Sequence, residues 1–362
     1  MFYVIKLIVT RESDKDFPLK NKAYRINMKK TLLALAVLTA AGTVNAAEIY
    51  SSDATAVKLK GEIDAYLANY DIDQTGEADA DINAWGKIQI DAETALNDDY
   101  KVAGSFEIES GSGYTETKNE AKFDDMYLAL KADKWGVAIG ETGDFADSDD
   151  AIEKTDITNE GNLLGTSGHP VESSGHGFAY KVTPTDGLTF VADVNTQKAD
   201  NVDNIYGLSL DYSKDIFSVG ASYIGGEIAE DTDFSQAGLS ASVDVSGLFL
   251  AATYSNFEGV NSFGFFSSTP YYSGDAFEVA ASYTADKLRL YTVYGLIALD
   301  EATKGGADAD GDVYSWTLGV DYAVASNLTI FAEYTTGETS DDFSGGANLD
   351  ADATVLGAYY TF

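Results

Sequence analysis

The 362-residue chain contains no cysteine, which removes disulfide frameworks, thiolate metal sites and thiol nucleophiles together. Its two histidines, His169 and His176, are too few for a multi-histidine metal centre. Basic side chains are also scarce. Lys and Arg number 23 against 59 Asp and Glu, a formal charge of -36, so the chain repels nucleic acid. Beyond Ala46 no apolar run approaches the roughly 18 residues of a membrane-crossing helix. Such acidity often marks disorder, but 45% hydrophobic and 12% aromatic residues are too many for a solvated tail. With 23 tyrosines and 18 phenylalanines, the chain is rich in strand formers.

The N-terminus reads as an export leader. From Met28, Lys29 and Lys30 precede an apolar run from Leu32 to Ala41 and a small-residue exit ending Val44-Asn45-Ala46, the three parts of a secretory signal peptide. Residues 28–46 are therefore expected to be removed, with cleavage between Ala46 and Ala47. Residues 1–27 lie upstream of that signal and read as a mis-assigned extension. Removing 1–46 takes eight basic and three acidic side chains, moves the net charge from -36 to -41, and leaves Arg289 as the one arginine.

The mature chain, 47–362, alternates with period 2. Val57, Leu59, Gly61 and Ile63 alternate with Lys58, Lys60, Glu62 and Asp64; Gly86, Ile88 and Ile90 with Lys87, Gln89 and Asp91; Val102, Gly104, Phe106 and Ile108 with Ala103, Ser105, Glu107 and Glu109. Sixteen such segments fall near 56–70, 84–95, 100–110, 123–132, 135–141, 176–183, 187–196, 205–212, 216–224, 234–245, 247–257, 275–284, 287–298, 312–322, 327–336 and 352–362. Most approach the roughly 9 to 11 residues of a tilted membrane-crossing strand. Short turns, as at Asp133-Lys134 and Ala285-Asp286, alternate with long Gly/Asp/Ser-rich loops, the longest from Thr142 to Gly175. The pattern predicts an all-β fold, a sixteen-stranded antiparallel transmembrane β-barrel.

A soluble β-sandwich also alternates apolar and polar positions, but strand length, alternating loop length and aromatic residues at strand ends favour the barrel. The inward face decides further. Lys58, Glu62, Asp64, Asp91, Glu107 and Glu109 cannot line a dry core, because each buried unpaired charge costs several kcal/mol. They require water, and sixteen strands enclose room for it.

Three stretches carry a resemblance. Tyr127-Leu128-Ala129-Leu130-Lys131-Ala132-Asp133-Lys134-Trp135-Gly136-Val137-Ala138-Ile139-Gly140 leads into the longest loop, Leu356-Gly357-Ala358-Tyr359-Tyr360-Thr361-Phe362 ends the chain, and the sixteen-strand rhythm joins them. With these the sequence resembles the general diffusion porins of Gram-negative outer membranes over essentially all of 47–362. The resemblance implies an outer-membrane homotrimer, a third loop folded into the barrel as the pore constriction, and a terminal strand in which Tyr360 and Phe362 serve as the barrel-assembly signal. The implied partners are outer-membrane lipid and lipopolysaccharide, the barrel-assembly machinery, and small hydrophilic solutes and cations. Two departures stand out: Glu141 occupies a position where the family commonly has arginine, and the family's constriction arginines have only Lys58, Lys60, Lys87 and Lys101 as counterparts on the first three strands.

Carried onto this chain, the constriction loop holds Glu141, Asp144, Asp147, Asp149, Asp150 and Glu153 within thirteen residues. Clustered carboxylates concentrate cations and exclude anions. The pore wall opposite is expected to include Lys58, Lys60, Glu62, Lys87, Lys101 and Glu107. The functional expectation is passive diffusion of ions and small hydrophilic solutes with cation preference, no reaction, no cofactor and no metal. Alternatives are a sugar- or oligosaccharide-selective porin, a barrel enzyme, and a non-conducting adhesin or structural barrel. Three weaker signals remain. Asp308-Ala309-Asp310-Gly311-Asp312 reads as an acidic hairpin tip rather than a calcium loop, the two histidines as ordinary loop residues, and Phe263, Phe265, Phe266, Tyr271 and Tyr272 as loop aromatics packed over the barrel mouth or stacked on sugars.

Overall fold

The computed structural model describes residues 47–111, 121–160, 169–171, 175–304, 311–340, 343 and 348–362. The leader, the upstream extension and Asp308 to Asp310 lie outside the described residues. The strands are β1 (Ala47–Ser51), β2 (Thr55–Ile72), β3 (Gly76–Ala95), β4 (Lys101–Gly111), β5 (Lys122–Lys131), β6 (Trp135–Gly140), β7 (Gly177–Thr185), β8 (Leu188–Asn195) and β9 (Ile205–Lys214). They continue as β10 (Phe217–Ala229), β11 (Thr232–Val245), β12 (Leu248–Phe263), β13 (Phe266–Ala285), β14 (Leu288–Lys304), β15 (Asp312–Ala325), β16 (Leu328–Thr339) and β17 (Asp350–Thr361). From β2 onward each strand pairs antiparallel with the next, and β17 returns to β2 from Ala351↔Ile72 to Thr361↔Glu62. β2 to β17 therefore form a closed barrel of sixteen strands, as the alternation predicts.

Closure involves both ends of the segment 47–362. β17 covers the β2 edge from Ile72 down to Glu62, and Phe362 exchanges two backbone hydrogen bonds with Gly61, at 2.8 and 2.9 Å. β1, which the alternation does not reveal, covers the same edge further down, from Ala47↔Leu59 to Ser51↔Ala56. The two segments lie end to end as one composite strand, so β2 leaves no unpaired backbone for another chain to template on.

Side chains sort as a membrane barrel requires. Leu67, Leu208, Leu239, Leu290, Leu318 and Leu356 point outward and are exposed, while Gln89, Ser105, Thr317 and Thr335 point inward and are buried. Outward aromatics gather in two rows. Phe217, Tyr283, Tyr322 and Tyr360 lie toward the short turns, and Tyr254, Phe277, Tyr294, Trp316 and Tyr334 toward the other end. The cross-strand pairs Tyr254↔Phe277 and Tyr294↔Trp316 put members of the second row at one level. These rows match the interfacial girdles of outer-membrane barrels.

The short turns are as tight as expected. Ser246 and Gly247, both at positive φ (53° and 87°), join β11 to β12 in the two-residue geometry that follows the twist of a hairpin. The opposite end departs from expectation. Three connections expected as long loops are extended hairpins: β2–β3 turns at Asp73 to Thr75, β10–β11 at Glu230-Asp231 and β12–β13 at Gly264-Phe265. Glu77-Ala78-Asp79-Ala80-Asp81 reads as loop because it projects beyond the membrane and needs no apolar face. Its backbone still carries the ladder, with Tyr70↔Ala78 and Ile72↔Gly76 in register.

The depth of the outer face yields a test. Leu318 lies between Trp316 and Tyr322 on β15, and Val324 lies beside the short turn. Leu318→Arg should destabilise the barrel in lipid vesicles by about 2–4 kcal/mol and Val324→Arg by about 0–1 kcal/mol. Denaturant titration in vesicles measures both; equal penalties would contradict the assigned membrane depth.

Candidate functional site

The inner wall carries the candidate site, because the segment after β6 does not project away from the barrel. Residues 141–160 are largely buried and run along the inside of the strands. Small residues make this possible. Gly207 on β9, Gly220 on β10 and Gly238 on β11 are inward positions on neighbouring strands, and a Cβ there would collide with Ser148, the Ala151 carbonyl and Ile152 respectively. They form a bed for the 3-10 turn Asp150–Ile152. Earlier in the segment, Phe145 lies over Gly136 of β6 and against Tyr127 of β5, ring centroids 5.9 Å apart.

Hydrogen bonds then fasten the segment strand by strand. The Ser148 N–H donates to Asp193 of β8 (3.0 Å), Gln236 of β11 donates to Asp149 (3.2 Å), and Thr253 of β12 donates to the Ile152 carbonyl (2.9 Å). Thr155 donates to Glu278 of β13 (3.0 Å), and Lys154 pairs with Asp211 of β9. Arg289 of β14 donates to the Ile157 carbonyl (3.1 Å) and, through Nε, to Asp321 of β15 (2.7 Å). The far end meets Glu333 of β16. Its carboxylate accepts the N–H groups of Asn159 and Glu160 and the Tyr291 hydroxyl, each at 2.6 Å. Tyr359 of β17 then donates to the Glu160 carboxylate (2.7 Å). The segment thus spans the wall from β8 to β17.

The six acidic loop residues separate into two groups. Asp147 and Asp149 are buried, and Asp147 accepts the Asp149 N–H (2.9 Å). Asp150 is exposed, and Glu141, Asp144 and Glu153 are half-buried. Glu141 Oε2 lies 3.3 Å from the Met126 N–H. The six do not converge on one point.

The wall residues expected from the alternation face inward, and three of the lysines are paired there. Lys60 pairs with Asp91 (2.7 Å), Lys87 with Glu107 (2.8 Å) and Lys101 with Glu93 (2.6 Å). Lys58 is exposed on the same face of β2 as Lys60, Glu62 and Asp64. Glu62 and Asp64 are buried; Lys87 lies opposite Glu62 on β3, and Tyr359, which donates to Glu160, lies opposite Asp64 on β17. Glu107, Glu109 and Asp124 bring one carboxylate oxygen each within 4.8 Å of one another, a juxtaposition created by strand pairing and not visible as a sequence motif. Lys87 supplies the countercharge at Glu107.

Sequence reasoning misses the anchors Glu333, Tyr291, Gln236, Thr253 and Glu278, since each is an ordinary polar member of an alternating strand. The inward glycines at 207, 220 and 238 are the one detectable signal, being small where a neighbour must approach. Arg289 is conspicuous as the one arginine of residues 47–362, yet it is buried and neutralised by Asp321. The two histidines do not form a site together. His169 is buried against Asp193 (3.1 Å), and the His176 carbonyl accepts the Thr196 N–H (3.1 Å). Of the aromatics expected in a loop, Phe263, Phe266, Tyr271 and Tyr272 lie on β12 and β13 and Phe265 in the turn between them, and four of the five are buried in packing.

Comparison with known proteins places this geometry. The Gram-negative porin family matches residues 32–342. Outer membrane porin OmpD of Salmonella typhimurium is 28% identical over 93% of this chain and 97% of its own length. The structure of Salmonella typhi OmpF in complex with daunomycin superposes with a TM-score of 0.66 at 19% identity, over 87% of this chain and 100% of that one. The trimer form of Vibrio cholerae OmpT superposes with a TM-score of 0.59 at 18% identity, over 86% and 100%.

The anchoring predicts a consequence of loosening the far end. Glu333→Gln replaces one accepting oxygen with a donor that faces other donors, at a cost of about 1–3 kcal/mol. The denaturation midpoint should fall and open-channel current noise should rise; a variant matching the unmodified protein in both would contradict the anchoring role.

Proposed function

The chain belongs to the Gram-negative porins, and on that premise we propose that its channel prefers cations and that the acidic segment between β6 and β7 sets this preference. The protein is an outer-membrane porin, a channel for passive diffusion and not an enzyme. The observation that carries the selectivity is the state of its positive charges. Lys60, Lys87 and Lys101 are each paired with a carboxylate, and Arg289 is buried against Asp321. Lys58 is exposed on β2, and Glu62, Asp64, Asp144, Asp150, Glu153 and Glu160 add carboxylates along the wall and loop. A water-filled lumen with that balance concentrates cations and raises the barrier to anions.

The buried and exposed loop acids take different parts in this reading. Asp147 and Asp149 hold the loop to itself and to Gln236, whereas Asp144, Asp150 and Glu153 present charge to the lumen, with Glu141 at the start of the constriction.

Further parts follow from family membership. Assembly as a homotrimer is supported by the trimeric OmpT neighbour and by a shallow outward groove along β2, β16 and β17 lined by Ala65, Leu67, Ile330, Leu356 and Gly357. Size on a native gel tests it. Cleavage between Ala46 and Ala47, with residues 1–27 never part of the mature protein, fits the pairing of Ala47 within the barrel; intact mass tests both. A role for Tyr360 and Phe362 in recognition by the barrel-assembly machinery is supported by their outward exposure and ring contact at 6.0 Å, and outer-membrane export of a chain lacking Phe362 tests that role. Lipopolysaccharide and small hydrophilic solutes complete the proposed partners.

Selectivity is tested by neutralising the lumen-facing acids. Asp144→Asn, Asp150→Asn and Glu153→Gln together should lower the cation-to-anion permeability ratio, by up to about the fivefold that ~1 kcal/mol of attraction in water supplies. Reversal potentials in planar bilayers read the ratio; an unchanged value would remove the loop acids from the selectivity mechanism.

A further inference from the structure

The largest apolar cluster among the described residues lies inside the barrel, at the end opposite the short turns. Its centre is the tip of the β12–β13 hairpin. Phe263, Phe265 and Phe266 are only 0%, 2% and 1% exposed, although a hairpin tip beyond the membrane would ordinarily be solvated. The inward positions beneath it are apolar or small where the rest of the wall is polar: Ala68 and Ile72 on β2, Val313 on β15, Ala351 and Ala353 on β17. Gly337 of β16 leaves room for the tip, since a Cβ there would lie 3.1 Å from the Phe265 ring and 3.2 Å from the Phe266 ring. Phe343, from the β16–β17 connection, packs edge-on against Phe263 at 6.0 Å.

A polar clasp fixes the arrangement. In the β2–β3 turn, Gln74 donates to the Ser267 carbonyl (2.8 Å) and accepts the Ser267 N–H (2.9 Å). Both backbone groups of one hairpin residue are thereby held by one side chain from β2–β3, with β14 to β17 lying between the two hairpins around the barrel. The tip therefore leans inward across the mouth. The matching of apolar wall to apolar tip shows that this part of the lumen is built to be filled.

We propose that the β12–β13 hairpin is a second selectivity element, an apolar stopper clasped by Gln74 that closes the loop-end mouth over β13 to β17 and β2. Hydrated solutes then pass only beside the remaining strands, because an apolar surface offers nothing in exchange for their water. The inference rests on the porin reading, and the channel's size limit follows from the stopper as well as from the segment between β6 and β7.

The test compares full-length protein with Gln74→Ala and with the triple variant Phe263→Ser, Phe265→Ser, Phe266→Ser in planar bilayers, using polyethylene glycols of graded size as probes. Heat-modifiable gel migration checks that each barrel is folded. The stopper predicts that the triple variant has higher single-channel conductance and excludes only larger polymers, and that Gln74→Ala moves both in the same direction. If the triple variant does not fold, Gln74→Ala alone decides. Conductance and exclusion limit unchanged in every folded variant overturn the inference while leaving the porin reading intact, since that reading requires only that the unmodified protein conduct.

Discussion

Everything in this molecule depends on the pairing of β17 with β2. Hydrocarbon offers no partner to an open sheet edge, so sixteen strands are stable in a membrane only when the last finds the first. Eleven residues of β2, from Glu62 to Ile72, are met by β17, Gly61 is met by Phe362, and the lower part of the same edge is met by β1. With the ring closed, alternation sends every second residue to lipid and the others to the lumen. Segregation of apolar from charged side chains, the aromatic rows and the existence of an interior all follow from that closure.

The interior is then shaped by two elements of opposite chemistry. The segment between β6 and β7 is polar, fastened by carboxylates, threonines, a glutamine and Arg289, and seated on glycines. The β12–β13 tip is apolar, seated on alanines and valines. Each is matched by the wall it touches, and this is why a wall of simple alternation is not uniform in composition. Around the first, charge matters most. Lys60, Lys87 and Lys101 are held in local pairs on the wall beside it.

Much of this is legible in the sequence. Period-2 alternation shows the strands, and the turn Ser246-Gly247 and its counterparts show one end of the barrel. The inward charges Lys58, Glu62 and Glu107 show that the lumen is wet. What is not legible depends on contacts between distant residues. β1 is too short to alternate, and Glu77 to Asp81 form strand without an apolar face. Glu333 is one polar inward residue among many until Asn159 and Glu160 reach it across 174 and 173 residues of chain. The phenylalanines at 263, 265 and 266 signal packing in the sequence, but only their partners reveal that the packing is inside the barrel.

The proposed lumen is an open aqueous path whose fixed charge is negative. The zero-current potential of the unmodified protein across a potassium chloride gradient tests it most directly. A stepwise conductance and a potential of the sign that potassium diffusion down the gradient produces are expected. No conductance, or a potential of the sign set by chloride, would contradict it.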